Sequence, residues 1–202
     1  MRKNIARARM IVMFILIVPV CSTAVFAGPL EDGQAAYNRG DYATALKLFR
    51  PLAEQGNADA QDSLGWLYEQ GSGVEQDFKE AMKWYRSAAE QGSARAEYNL
   101  GVLYYRGSGV PKNLRDAIKW YRMAAAQGDP KAQYNLGFMY ANGEGVTRDL
   151  PRGHMWWSFS AKSEATAWAS LIALSKLMTK EQIAEAQLLA RKCEASNYKQ
   201  CD

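Results

Sequence analysis

The chain has 202 residues, enough for one domain with a continuous core, and carries 25 Lys+Arg against 21 Asp+Glu. Four of those cations, Arg2, Lys3, Arg7 and Arg9, fall in the first nine residues, so 25 less 4 leaves 21 against 21 beyond them. A near-neutral body excludes the basic footprint that nucleic acid or anionic lipid demands, and one histidine with three cysteines offers no metal set.

The N-terminal segment is expected to be a secretory leader. A basic start is followed by the apolar run Met10 to Val18 and by small residues ending in Val25-Phe26-Ala27. That run is shorter than the roughly 20 residues needed to span a bilayer. The pattern predicts cleavage after Ala27, with Ala24 as the alternative site, and therefore a periplasmic or secreted protein with no membrane span after cleavage.

Residues 33–56 contain Gly40-Asp41-Tyr42, Ala45 and Phe49 and read as an N-terminal half unit. From Ala58 the chain then repeats itself three times at a spacing of 36, in units 57–92, 93–128 and 129–163. Gly65, Gly101 and Gly137 fall in register, as do Tyr68, Tyr104 and Tyr140, and Trp84, Trp120 and Trp156. Asn57, Ser93 and Asp129 are N-cap types ahead of a first helix of about 13 residues. Gly71, Gly107 and Gly143 then offer a left-handed stop. Asp77, Asn113 and Asp149 cap a second helix, with Glu80 expected to close a capping box, and Gly56, Gly92 and Gly128 end the second helices of successive units. Ala60, Leu64, Leu67 and Tyr68 share one face of the first helix, and Ala81, Trp84, Tyr85, Ala88 and Ala89 one face of the second. Gly65 and its copies predict a crossing too close for a side chain. No pair buries its face alone, so neighbouring pairs must stack.

Residues 164–202 read as a C-terminal cap: helices over 165–177 and 180–192, with Thr179 and Gln182 as a capping box and Met178 and Ile183 as a staple. Trp168, Leu171 and Ile172 are expected to seal the open end of the stack. Cys193 and Cys201, an even pair in an oxidising compartment, are expected to form a disulfide.

The residues Leu64-Gly65, Tyr68, Gly71-Ser72-Gly73-Val74, Asp77, Ala81, Trp84-Tyr85, Ala88-Ala89 and Gln91-Gly92, with their copies 36 and 72 residues on, resemble the Sel-one-like repeat family, relatives of the tetratricopeptide repeats. The third copy departs with Gly153, Trp157 and Ser163. The resemblance spans roughly 33–193 and implies an all-α fold, a right-handed α-solenoid of stacked antiparallel helix pairs. It also implies a non-catalytic scaffold for a protein or peptide partner. No cofactor is expected, and a monomer is.

On the first-helix face left over by the core stripe stand Asp62, Trp66, Glu69 and Gln70, then Tyr98, Val102, Tyr105 and Arg106, then Tyr134, Phe138 and Asn142. Aromatic rings beside an arginine are the stuff of interface hot spots, so these are the candidate partner-binding residues. The opposing reading packs the rings against neighbouring first helices. Catalytic signals are thin: His154 has no nucleophile motif beside it, and Ser196-x-x-Lys199 stands without its companion motifs. A β-lactam- or peptidoglycan-related binder or hydrolase is the alternative reading.

Overall fold

The computed structural model describes residues 28–198 and 201; the leader read at 1–27, Lys199, Gln200 and Asp202 lie outside the described residues. Among the described residues the chain is all helical: α1 (Pro29–Asn38), α2 (Tyr42–Glu54), α3 (Ala58–Gln70), α4 (Phe78–Ala89), α5 (Ala94–Arg106), α6 (Leu114–Ala126), α7 (Pro130–Asn142), α8 (Leu150–Ser160), α9 (Ala165–Ser175) and α10 (Lys180–Ala195). Each helix through α8 packs on the next in order, which is the zigzag of an α-solenoid.

The local chemistry explains the boundaries. Asn57, Ser93 and Asp129 each accept the backbone N–H three residues on, satisfying a donor that the first turn leaves orphaned. The 13-residue first helices end at Gly71, Gly107 and Gly143 in the left-handed region, with φ of 67°, 78° and 75°. The loop then folds back: the N–H groups of Asp77, Asn113 and Asp149 donate to the carbonyls of Tyr68, Tyr104 and Tyr140. At Gly73 the φ is +73°, and a Cβ there would stand 2.7 Å from the Tyr42 carbonyl carbon at the start of α2. The turn glycine is thus an inter-unit contact as well as a conformational requirement.

Within a pair, the close crossing meets an aromatic ring. A Cβ on Gly65 would lie 2.7 Å from the Tyr85 ring, on Gly101 2.5 Å from Tyr121, and on Gly137 2.4 Å from Trp157. Each ring is buried against its partner helix. Between pairs, the guanidinium groups of Arg50, Arg86 and Arg122 donate to the hydroxyls of Tyr68, Tyr104 and Tyr140, at 2.9, 3.0 and 2.6 Å. Each of these ties a second helix to the first helix of the following unit.

Three local expectations change. The N-terminal segment is a whole helix pair, because α1 begins at Pro29 and precedes α2. Gly33 presses on Phe49 there, 2.6 Å from a Cβ, as Gly65 does on Tyr85. Its brief Gly40 turn disguised the unit by omitting the long loop. In α4, Asp77 accepts from Lys79 and Glu80, while the Glu80 carboxylate turns to Lys83, 3.5 Å away. The nearby cation competes with the reciprocal half of the capping box.

The third change is at the far end. Both α9 and α10 pack on α8 rather than forming a hairpin with each other like the repeat pairs. Thr179 and Gln182 do form a capping box, and Met178 is buried with Ile183 packed alongside. The Cys193–Cys201 disulfide closes the tail, with Cα atoms 4.5 Å apart, and Tyr198 packs edge-on against Phe159 of α8. Leu171 is half-buried, but Trp168 and Ile172 are 57% and 41% exposed, so they leave the end of the stack open. With α10 drawn onto α8 by Leu189, Ala190 and Cys193, about half of each of these two side chains stays uncovered.

Candidate partner-binding groove

A groove of about 390 Å³ runs across the four first helices. Its walls take Gln34 and Tyr37 from α1, Asp62, Ser63 and Trp66 from α3, Arg95, Tyr98 and Asn99 from α5, and Asp129, Pro130 and Lys131 at the start of α7. Lys131 and Tyr98 also border a hollow of about 250 Å³ that reaches Glu164 and Thr166. A third space, about 230 Å³, lies among Tyr105, Tyr121, Tyr134, Asn135, Phe138 and Met139. Shared side chains make these one continuous path along the solenoid.

The aromatic residues are partly self-supporting. Trp66 meets Tyr37 edge-on with ring centres 4.8 Å apart, and lies 5.8 Å from Tyr42. Tyr98 lies 6.0 Å from the buried Tyr121, and Asn135 hydrogen-bonds to both. Tyr134 stands 6.1 Å from Trp157, whose indole N–H donates to its carbonyl oxygen. Tyr105 donates its hydroxyl to Glu144, with the Lys112 ammonium over its ring. These rings are half-buried. One edge is therefore held by the fold while the other borders the groove, a preorganised arrangement that loses little entropy on binding.

Asp62 is a wall residue of a different kind. It is 2% exposed, pairs with the Arg95 guanidinium, and accepts from Asn99 at 3.2 Å. Burial pushes its carboxyl pKa up, against the opposing pull of Arg95. Its charge is spent on fixing Arg95, which stays 58% exposed at the groove floor. Asp62 thus stands in the groove wall as the group that holds Arg95, with its own carboxyl almost wholly covered. Burial also raises the pKa of Asp129, which caps α7, and of the Tyr98 hydroxyl.

Other candidates fall away from the groove. Glu69 is buried and accepts the Tyr85 hydroxyl at 2.7 Å, so it braces the α3–α4 crossing and is unavailable to a partner. Val102 is half-buried against the core of α6–α8. Gln70, Arg106 and Asn142 are exposed at the last turns of their helices, with Asn142 donating to the Phe138 carbonyl. From α5 and α7 the groove takes residues of their N-terminal halves instead. Sequence reasoning passed over Arg95, Asn99, Lys131, Ser63 and Asn135. A usable signal existed: 59/95/131, 62/98/134, 63/99/135 and 66/102/138 form an i, i+3, i+4, i+7 stripe, and completing it from the aromatic residues would have found them. Gln34 and Tyr37 were out of reach because α1 had not been read as a first helix.

Neither His154 nor Ser196 meets a converging set of catalytic groups among the described residues. His154 Nε2 lies 3.1 Å from the Ser175 hydroxyl, which itself donates to the Leu171 carbonyl, and burial lowers the imidazole pKa. The Ser196 hydroxyl donates to the Cys193 carbonyl at 2.7 Å, which ties it to the disulfide turn. No cluster of three metal-ligating side chains occurs among the described residues.

The Sel1 repeat matches residues 28–57, 58–93, 94–129 and 130–164, four consecutive units. The chain belongs to the Sel1 repeat family. A Sel1 repeat protein from Oxalobacter formigenes, known from its crystal structure, is 30% identical with a TM-score of 0.71, over 84% of this chain and 75% of that one. The protective antigen c5321 of uropathogenic Escherichia coli, which has the same repeat fold, is 27% identical with a TM-score of 0.58. The match covers 84% of this chain and 46% of the antigen, so this chain spans about half its length. A search of curated proteins finds no significant match. Sel1 repeats generally mediate protein–protein interaction, and proteins built from them are typically non-catalytic scaffolds. No described helix is long and apolar enough to cross a membrane.

Proposed function

We propose that this Sel1 repeat protein is a scaffold of the bacterial envelope or secreted fraction that holds an extended protein or peptide segment along its first-helix groove. The observation that carries the reading is the unbroken path of half-buried Tyr37, Trp66, Tyr98 and Tyr134, flanked by the exposed cations Arg95 and Lys131. Rigid aromatic faces supply apolar contact area at little entropic cost, and the flanking cations favour a segment that alternates apolar and acidic or carbonyl-bearing groups. The leader-like residues 1–27 and the Cys193–Cys201 disulfide support an oxidising, exported setting.

The test is site-directed photo-crosslinking in the producing cell, with the reactive side chain placed either at Asn99 in the groove or at Lys83 on the exposed face of α4. An adduct of one discrete size from position 99, lost on Lys131→Glu with Tyr98→Ala, is the expected outcome. Equal labelling from both positions would refute groove binding.

A further inference from the structure

The corner where each long loop enters a second helix carries a different charge in each of the three long-loop repeats. Arg50, Arg86 and Arg122 hold one slot there in register, each donating to the tyrosine hydroxyl of the following unit. In the first corner Arg50 stands with Glu75, Asp77 and Glu80, one cation among three acids. In the second, Arg86 and Lys112 stand with Asp116. In the third, Arg122, Arg148 and Arg152 stand with Asp149 around a hollow of about 260 Å³, which Tyr140, Val146 and Thr147 complete.

Two of these changes exceed what the fold needs. Position 152 is the third residue of α8, and its counterparts in α4 and α6 are Glu80 and Asp116, acids that suit the positive end of a helix. An arginine there opposes the helix dipole. Position 148 corresponds to Gln76, whose amide donates to the Glu69 carbonyl at 2.8 Å. Arg148 makes the equivalent bond to the Ala141 carbonyl through Nε, at 3.0 Å, so its two terminal nitrogens are additional to that contact. The chain has thus departed from its own repeat toward positive charge and against local helix preference, as sites kept for function do.

We propose that this corner binds a phosphate monoester. The three guanidinium groups come from α6, the loop and α8, and each is oriented: Arg122 by the Tyr140 hydroxyl, Arg148 by the last turn of α7, Arg152 by the Asp149 carboxylate. A guanidinium offers five N–H donors in one plane, so a single anchor directs the rest. Three arginines against one acid leave two positive charges, which a phosphate carrying about −1.5 to −2 near neutral pH balances and a single carboxylate does not. Forks arriving from three directions also match a tetrahedral group with several acceptor oxygens better than a planar one with two. The excess charge is local. Beyond the first nine residues cations and acids balance at 21 each, and three arginines fall short of the roughly four to eight clustered cations that hold an anionic membrane, so the ligand is soluble. No residue of this corner lines the first-helix groove, so the site is separate from the path proposed for a peptide.

Isothermal titration of the purified chain with inorganic phosphate and with glycerol 3-phosphate tests the proposal, with acetate for comparison. Saturable binding of one phosphate group per chain is expected, with acetate at least about tenfold weaker. Arg148→Gln with Arg152→Glu installs the residues that the first repeat carries at these slots; it should weaken binding about tenfold or more while the urea midpoint holds or rises. Lys79→Gln with Lys83→Glu removes the same charge from α4 and should change the affinity less than about twofold. Absence of binding by both phosphates overturns the proposal, as does acetate matching them or an equal loss in the two double variants. Binding that appears only after Asp202→Asn would assign the corner to the chain's own acid and overturn it too. Preference for phosphatidic acid vesicles over free phosphate would overturn the soluble ligand.

Discussion

The crossing of α5 over α6 makes a sharp quantitative prediction, because Gly→Ala in a helix would ordinarily stabilise. Alanine at position 101 relieves the entropic cost of glycine, worth about 0.5–1 kcal/mol. Its Cβ, however, would sit 2.5 Å from both Cδ1 and Cε1 of Tyr121. Carbon atoms rest at about 3.5–4.0 Å, so the ring must retreat by roughly 1 Å. Moving it breaks contacts: Tyr121 is 1% exposed, lies against Tyr98 and is hydrogen-bonded to Asn135, so a shift toward the space it borders with Tyr105 and Tyr134 disturbs both partners. Overpacking of this kind costs about 1–3 kcal/mol, and subtracting the helix gain leaves a net loss of up to about 2 kcal/mol. At about 2–4 °C per kcal/mol for a chain of this size, the melting temperature should fall by up to roughly 4–8 °C. Calorimetry or urea unfolding of Gly101→Ala, Tyr121→Leu and the double variant measures this directly. The alanine penalty should shrink by about 1 kcal/mol or more once the ring is removed. Gly101→Ala melting at or above the parent, or a penalty unchanged in the Tyr121→Leu background, would show that the crossing does not require glycine.

Two further outcomes follow from buried polar groups. Tyr85→Phe removes the donor to Glu69, leaving a buried carboxylate short of a partner, and should cost about 1–3 kcal/mol by urea unfolding; a neutral effect would mean that Glu69 finds water instead. Asp62 has a carboxyl pKa raised in the fold by burial, so folding favours its protonated form. That contribution is fully present below the ordinary carboxylate pKa and is lost as pH rises through the raised value. Compared with Asp62→Asn, the parent should therefore lose stability as pH climbs from strongly acid toward neutral. Parallel urea midpoints across that range would contradict the assignment.

The repeat units were legible in the sequence because each depends on local chemistry. Side-chain caps at Asn57, Ser93 and Asp129, left-handed glycines at 71, 107 and 143, and apolar stripes at helical spacing act within a few residues of themselves, and three copies in register make the pattern unmistakable. The glycine slot at 65, 101 and 137 likewise announced a close crossing, although not that an aromatic ring would fill it. Of the candidate stripe, Trp66, Tyr98, Tyr105, Tyr134 and Phe138 border the hollows of the first-helix face, while Glu69 and Asp62 are engaged by Tyr85 and Arg95. A polar residue's partner comes from another helix, and periodicity within one helix says nothing of it.

What the sequence determined by itself is therefore the unit and its repetition: caps, stops and apolar faces that can only be satisfied by stacking. What the tertiary structure alone decided is where the stacking begins and fails. Helix α1 completes a pair whose long loop is missing, so only its contact with α2 reveals it as a repeat. Trp168 and Ile172, apolar enough to be expected inside, remain exposed because α10 chose α8. Hydrophobicity states what a side chain would gain from burial; the path of the chain determines which surfaces are left to cover it.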